Sequence, residues 1–220
     1  MTLGLILLVI AGVLVLLGVG QRVLDKLHLT DRQALLFIAL IIAGGFIPDI
    51  PVTPLFAFNI GGALIPLGLC VYLWIKADTT GERVRSIIAA LLTGAVVFLL
   101  GRLMPDEPES IVIDPGYMHG LAAGVIGYLF GKSRRGAFIA GVVGVMLSNI
   151  FTAVQVWNRG VEQRLVLGGA GAFDVIVMSG LIAVLLSELI GEIFERIKRG
   201  RQRPTRIFKN GEFVQKEAHK

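Results

Sequence analysis

Among the polar residues that stand inside otherwise apolar runs of this 220-residue chain are Asn59, His119, Asn149, Thr152, Gln155 and Asp174. An aspartate at mid-helix costs about 2.5–3.5 kcal/mol to insert in a membrane, so by default it faces protein or water and has a function. The competing role for Asp174 is a charge at the positive end of a helix dipole. His119 can pair with Asp174 or be a buried structural histidine. Asp114 precedes Pro115, the pattern of an N-cap followed by proline at the first helical position. Asn59 and Asn149 can hydrogen-bond across helices. Gly62 enters through its carbonyl. Pro66 has no N–H to bond back to it, and such a break is tolerated at membrane depth only where the backbone is buried in protein or lines a cavity.

Other chemistry is sparse. One imidazole with carboxylates or amides fits several divalent ions, so no metal is specified and the cofactor stays unknown. No Walker loop, HExxH or CxxC occurs, and Gly168–Gly171 precedes an apolar segment rather than joining a strand to a helix. Cys70 is the only cysteine, which excludes an intrachain disulfide.

The elements that must carry these residues follow from composition. The apolar residues make up 55%, glycine adds 28 more, and charged residues are 17%, against about 25% in a soluble domain. Such a chain cannot cover a water-facing surface. The same figures exclude disorder, a collagen-like repeat and a secreted disulfide scaffold. A bilayer core takes roughly 20 apolar residues per helix, and seven segments serve: Thr2–Gly20, Gln33–Ile47, Phe56–Ile75, Val84–Met104, Gly116–Gly131, Gly136–Trp157 and Gly171–Phe194. Of the 21 Lys and Arg residues, eighteen fall on one side of this alternation and three, Arg102, Arg159 and Arg164, on the other. The positive-inside rule then predicts an all-α polytopic protein of the cell membrane, N-terminus out and C-terminus cytoplasmic. The first segment lacks a basic lead and an A-x-A site, so it reads as a retained span.

Residues 1–200 form the predicted transmembrane domain, and 201–220 a basic tail. The tail should lie against anionic lipid, and nucleic acid is not an expected partner. Arg206–Gln215 predicts a hairpin around Asn210-Gly211. Gly120, Gly124, Gly127 and Gly131 share one face of span five, and Ala137, Gly141, Gly144 and Ser148 share one face of span six. Small stripes let helices approach closely, so these two spans are expected to pack on each other. The second stripe turns polar as Ser148, Thr152 and Gln155. With Asn59, Gly62, His119, Asn149 and Asp174 this predicts an outward-facing pocket between spans three, five, six and seven.

The stretches Asn59-Ile-Gly-Gly-Ala-Leu-Ile-Pro66 and Gly168-Gly-Ala-Gly-Ala-Phe-Asp174, with the seven-span layout, resemble a family of prokaryotic membrane proteins of unknown function, of the domain of unknown function 1614 type. That resemblance covers nearly the whole chain and implies no activity. Gly171–Ala183 is locally similar to the glycine-aspartate span of presenilin and signal peptide peptidase-like proteases, which implies a catalytic pair of Asp174 and Asp114 sharing a proton. Here Phe173 replaces the motif's middle glycine, no tyrosine precedes Asp114, and no later proline-alanine-leucine motif follows. The leading expectation is a pocket that binds or transports a small solute or ion. The alternatives are an intramembrane aspartyl hydrolase and a non-enzymatic scaffold. Homo-oligomerisation is left open.

Overall fold

The computed structural model describes residues 29–103, 115–131, 133–171, 174–201, 206–209 and 212–215. The first predicted span and Asp114 lie outside these residues. Six α-helices run in order: α1 Asp31–Gly45, α2 Ile65–Ile75, α3 Thr80–Leu103, α4 Pro115–Gly131, α5 Arg134–Asn158 and α6 Val175–Arg201. The helices begin where short polar side chains satisfy the open N–H groups. The Thr30 hydroxyl accepts from the Gln33 N–H while the Gln33 side chain accepts from the Thr30 N–H, a reciprocal capping box. Thr79 accepts from the Glu82 N–H, and Ser133 from the Gly136 N–H.

The all-α expectation needs correction at one end of the bundle. Strands β1 (Ile50–Thr53), β2 (Phe56–Phe58) and β3 (Leu165–Leu167) form a sheet in that order. β2 pairs antiparallel with β1 and parallel with β3, with Phe56 opposite Leu165 and Phe58 opposite Leu167. Pro51, which cannot donate to a ladder, sits on the edge strand. Phe56–Phe58 was predicted as the start of span three. Its apolar run is strand because backbone partners from β3 are in reach, and the helix begins only after Asn59.

The chain divides into two compact units, Met1–Glu188 and Leu189–Lys220. In the first, α3 and α5 pack most extensively, α4 packs on both, and α2 packs against α5. Leu73, Val97, Val142, Val145, Leu167 and Ile176 are fully buried among them. The second unit holds the end of α6 and a hairpin of β4 (Arg206–Lys209) and β5 (Glu212–Gln215), with Lys209 opposite Glu212 as the Asn-Gly turn predicts.

The small stripes pack differently from the expectation. A side chain at Gly120 would meet Ile182, and one at Gly124 would meet Leu186, both on α6. On α5, Gly141 backs onto the Ser179–Gly180 backbone of α6, and Gly144 receives Thr93 of α3. Gly120 and Gly124 of α4 and Gly141 and Gly144 of α5 therefore do not face each other, although α4 and α5 do pack together as expected. They leave room for α6 and α3, while α4, α5 and α6 meet at Ala123, Ala137 and Ala183. Periodicity fixes which residues share a face but not which neighbour fills it.

Candidate functional site

Four of the predicted site residues belong to two neighbouring structures joined by β3. The first is a backbone crossing. Gly168 and Gly171 take positive φ, +74° and +60°, a conformation open to glycine and strained for other residues. They turn the chain so that its backbone lies directly on Gly62, and Gly61 lies equally close on the carbonyl of Ile41 and the backbone of Gly44 and Gly45. Any Cβ at Gly61, Gly62 or Gly168 would overlap backbone.

Asn59 holds this crossing together. Its Oδ1 accepts from the Gly62 N–H at 2.9 Å, and its Nδ2 donates to Asp49 at 3.0 Å and to the Ile47 carbonyl at 3.4 Å. Its backbone N–H donates to Leu167 at 2.9 Å. The side chain is buried. Gly62 was expected to present a free carbonyl at a helix break before Pro66. The break takes the form of a single π turn, Ile60–Leu64, in which the Ile65 N–H reaches back to the Ile60 carbonyl. Gly62 is buried in protein there rather than lining a cavity.

Asp174 precedes the first helical residue of α6 instead of standing one turn inside it. One carboxylate oxygen accepts from the Ile176 N–H at 3.0 Å and the other from the Ala170 N–H at 3.3 Å. The displacement comes from Gly168 and Gly171, whose turn ends only at Asp174. The geometry is that of a helix N-cap.

The second structure is a cleft of about 160 Å³ between the end of α5 and the segment entering β3. Asn149, Thr152, Ala153 and Val156 form one wall, and Gln163, Arg164 and Leu165 the other. Thr152 also bonds back to the Ser148 carbonyl at 2.9 Å. Leu165 begins the strand whose Leu167 carbonyl receives Asn59, so the cleft and the crossing share β3. Among the described residues the cleft walls do not include His119, Gln155 or Asp174. His119 is half-buried on α4 beside Gly120, and Gln155 is half-buried on α5. The single predicted pocket therefore resolves into a polar crossing and a separate cleft.

Sequence reasoning missed Gln163 and Arg164, which lie in a loop and carry no periodic signal. It also missed the partner of Asn59, since Asp49 reads as a turn residue between two prolines. At the opposite end of the bundle, Arg135 is buried and donates to the Lys76 carbonyl and to Asp78, each at 2.5 Å, with Glu82 at 3.6 Å. Ser133 donates to Glu82 at 2.6 Å, and Arg134 pairs with Glu188. Among the described residues no group of three or more His, Cys, Asp and Glu side chains is placed to hold a metal.

Fold and site together define a helical protein with a strand-clasped end, a capped α6 and a small polar cleft, features that name no reaction. Residues 19–186 match the family described as "Protein of unknown function (DUF1614)", and the chain belongs to that family. No curated protein and no solved structure matches it; nothing in these comparisons supports the likeness to presenilin-type proteases.

Proposed function

We propose that this is a polytopic membrane protein that binds a small anionic solute in the cleft between α5 and the 163–165 segment. Two helices, Thr80–Leu103 and Arg134–Asn158, are long and apolar enough to cross a membrane. In a water-soluble core such a helix would be hidden. In α3 only 33% of the most apolar stretch is buried, and Ile87, Leu91, Leu99 and Leu103 are exposed. Contiguous apolar surface of this kind marks a membrane or interaction face. The turns at 76–79 and 133–135, predicted cytoplasmic, meet through Arg135, and the predicted outer segments meet in the β1–β3 sheet. Both meetings agree with the alternation read from charge.

The solute class rests on one observation: the cleft walls carry a cation, Arg164, three neutral hydrogen-bonding side chains, Asn149, Thr152 and Gln163, and no acid. A guanidinium fork matches a carboxylate or phosphate in two-pronged fashion. The volume is below the roughly 300–1,000 Å³ of sites for drug-sized ligands, which suits a solute of few heavy atoms. The unfolding temperature of the detergent-purified protein should rise with the logarithm of the concentration of acetate, succinate or inorganic phosphate above Kd. A ligand at a hundredfold over Kd stabilises by about 2.7 kcal/mol. Arg164→Gln should abolish the shift. No shift with any of the three, or an undiminished shift in Arg164→Gln, overturns the reading. Counterflow in proteoliposomes then separates a carrier from a receptor.

A further inference from the structure

A second cavity, of about 260 Å³, lies between α2, α3 and α5 and is lined wholly by apolar side chains. It is built by three stripes at helical spacing. Leu67 to Trp74 lie along α2, Ile87 to Leu91 along α3, and Ile139 to Leu147 along α5. At 1.5 Å per residue, each of the outer two stripes is about 11–12 Å long. The crevice opens sideways, since Val71, Ile87 and Leu91 are 51%, 46% and 55% exposed. It is therefore a slot along the helices, not a closed core void.

A cation closes one end. Trp74 is the last lining residue of α2, and its indole N–H donates to the Arg83 carbonyl at 3.3 Å. The Arg83 guanidinium lies over the Trp74 ring at 5.7 Å. Arg83 stands one turn before Ile87, on the same face of α3. Its Nη2 donates to the Ile75 and Ala77 carbonyls, and its Nε is buried with no hydrogen-bond partner. The acids nearby are taken: Asp78 and Glu82 by Arg135, Glu82 also by Ser133 and the Asp78 N–H, and Glu188 by Arg134. Among the described residues Arg83 has no acidic partner, and the exposed Lys76 lies between Ile75 and Ala77, whose carbonyls Arg83 holds.

We propose that this crevice seats one acyl chain of an anionic phospholipid whose phosphate lies at Arg83 and Lys76. An apolar slot that opens to the side and ends at an uncompensated guanidinium beside an indole matches the order of tail, interface and headgroup in a lipid. The inference rests on the membrane reading above, so the test separates the two. Alkaline carbonate extraction reports whether the chain is integral to the membrane. Native mass spectrometry then reports lipid retained by protein released from nanodiscs of equal phosphatidylglycerol and phosphatidylcholine. The expected result is one retained phosphatidylglycerol, preferred about twenty-five-fold, from two cations at about fivefold each. Leu91→Trp fills the slot from an exposed position and should abolish retention, and Val71→Trp serves as a second filling variant. Lys76→Gln with Arg83→Gln should bring the two lipids to equal retention. An integral protein that retains no lipid, retains it equally in both filling variants, or shows no headgroup preference overturns the lipid site and leaves the membrane reading standing. Release by carbonate overturns both.

Discussion

At Asn59 one side chain serves a helix start, a neighbouring loop and an acid at once. Removing a buried partner leaves the others unsatisfied, at about 1–3 kcal/mol. Asn59→Ala should lower unfolding stability by that amount in a chemical melt. Asn59→Asp keeps the acceptor for Gly62 but sets a carboxylate against Asp49, and should cost at least as much. Adding Asp49→Asn restores a donor in the reverse sense and should recover part of the loss; failure to recover would show that the contact is not energetically coupled. Asp174 makes a different prediction. Asn and Asp are comparable N-caps, so Asp174→Asn should leave the melting temperature nearly unchanged, whereas Asp174→Ala should cost about 1 kcal/mol. A large effect of Asp174→Asn on solute-dependent stabilisation, with stability intact, would instead assign the carboxylate a part in binding. The polarity of both residues was legible from the sequence. Their partners were not: Asp49 and Ala170 are engaged through loop geometry, and the Ile176 contact follows from a helix start that the apolar run does not mark.

At the level of elements, the glycines sort into those that are filled by a neighbour and those that are not. Gly68 and Gly101 have no atom within 4 Å of a built Cβ. Alanine there should be neutral or stabilise by about 0.5–1 kcal/mol, since glycine is entropically costly in a helix. Alanine at Gly62 or Gly168 would meet backbone, and should abolish folding or cost several-fold more than the helical positions as read by thermal melting. Gly141→Ala and Gly124→Ala should both destabilise as read by thermal melting, because the first meets the Ser179 carbonyl oxygen at 2.8 Å and the second meets the Leu186 Cβ at 2.9 Å, neither of which a rotamer change can move. The helices themselves were legible, since long apolar runs with polar caps admit few alternatives. The strands were hidden for the opposite reason. Three apolar residues, Phe56–Phe58, extend a helical pattern as readily as they begin a sheet.

Across the whole molecule, Arg135 ties the α2–α3 turn to the start of α5 from a buried position. Breaking a buried pair costs about 3–5 kcal/mol. Arg135→Ala should fall at the lower end, because the Asp78 side chain is 58% exposed and regains water. The proposed orientation makes a separate prediction in a Cys70→Ser background. Val161→Cys should react with an impermeant maleimide in intact cells, and Gly81→Cys only after permeabilisation; the reverse pattern would invert the topology. The charge asymmetry behind that orientation was legible in the sequence, while the pairing of β2 with β3 was not, because parallel strands this far apart leave no local trace. That pairing also orders the birth of the protein. Until Leu165–Leu167 has left the ribosome, β2 has no second neighbour and the Asn59 N–H has no acceptor. A nascent chain arrested before residues 165–167 have emerged from the exit tunnel should therefore carry an open strand edge, vulnerable to protease at 50–58, and lose that vulnerability once they have emerged.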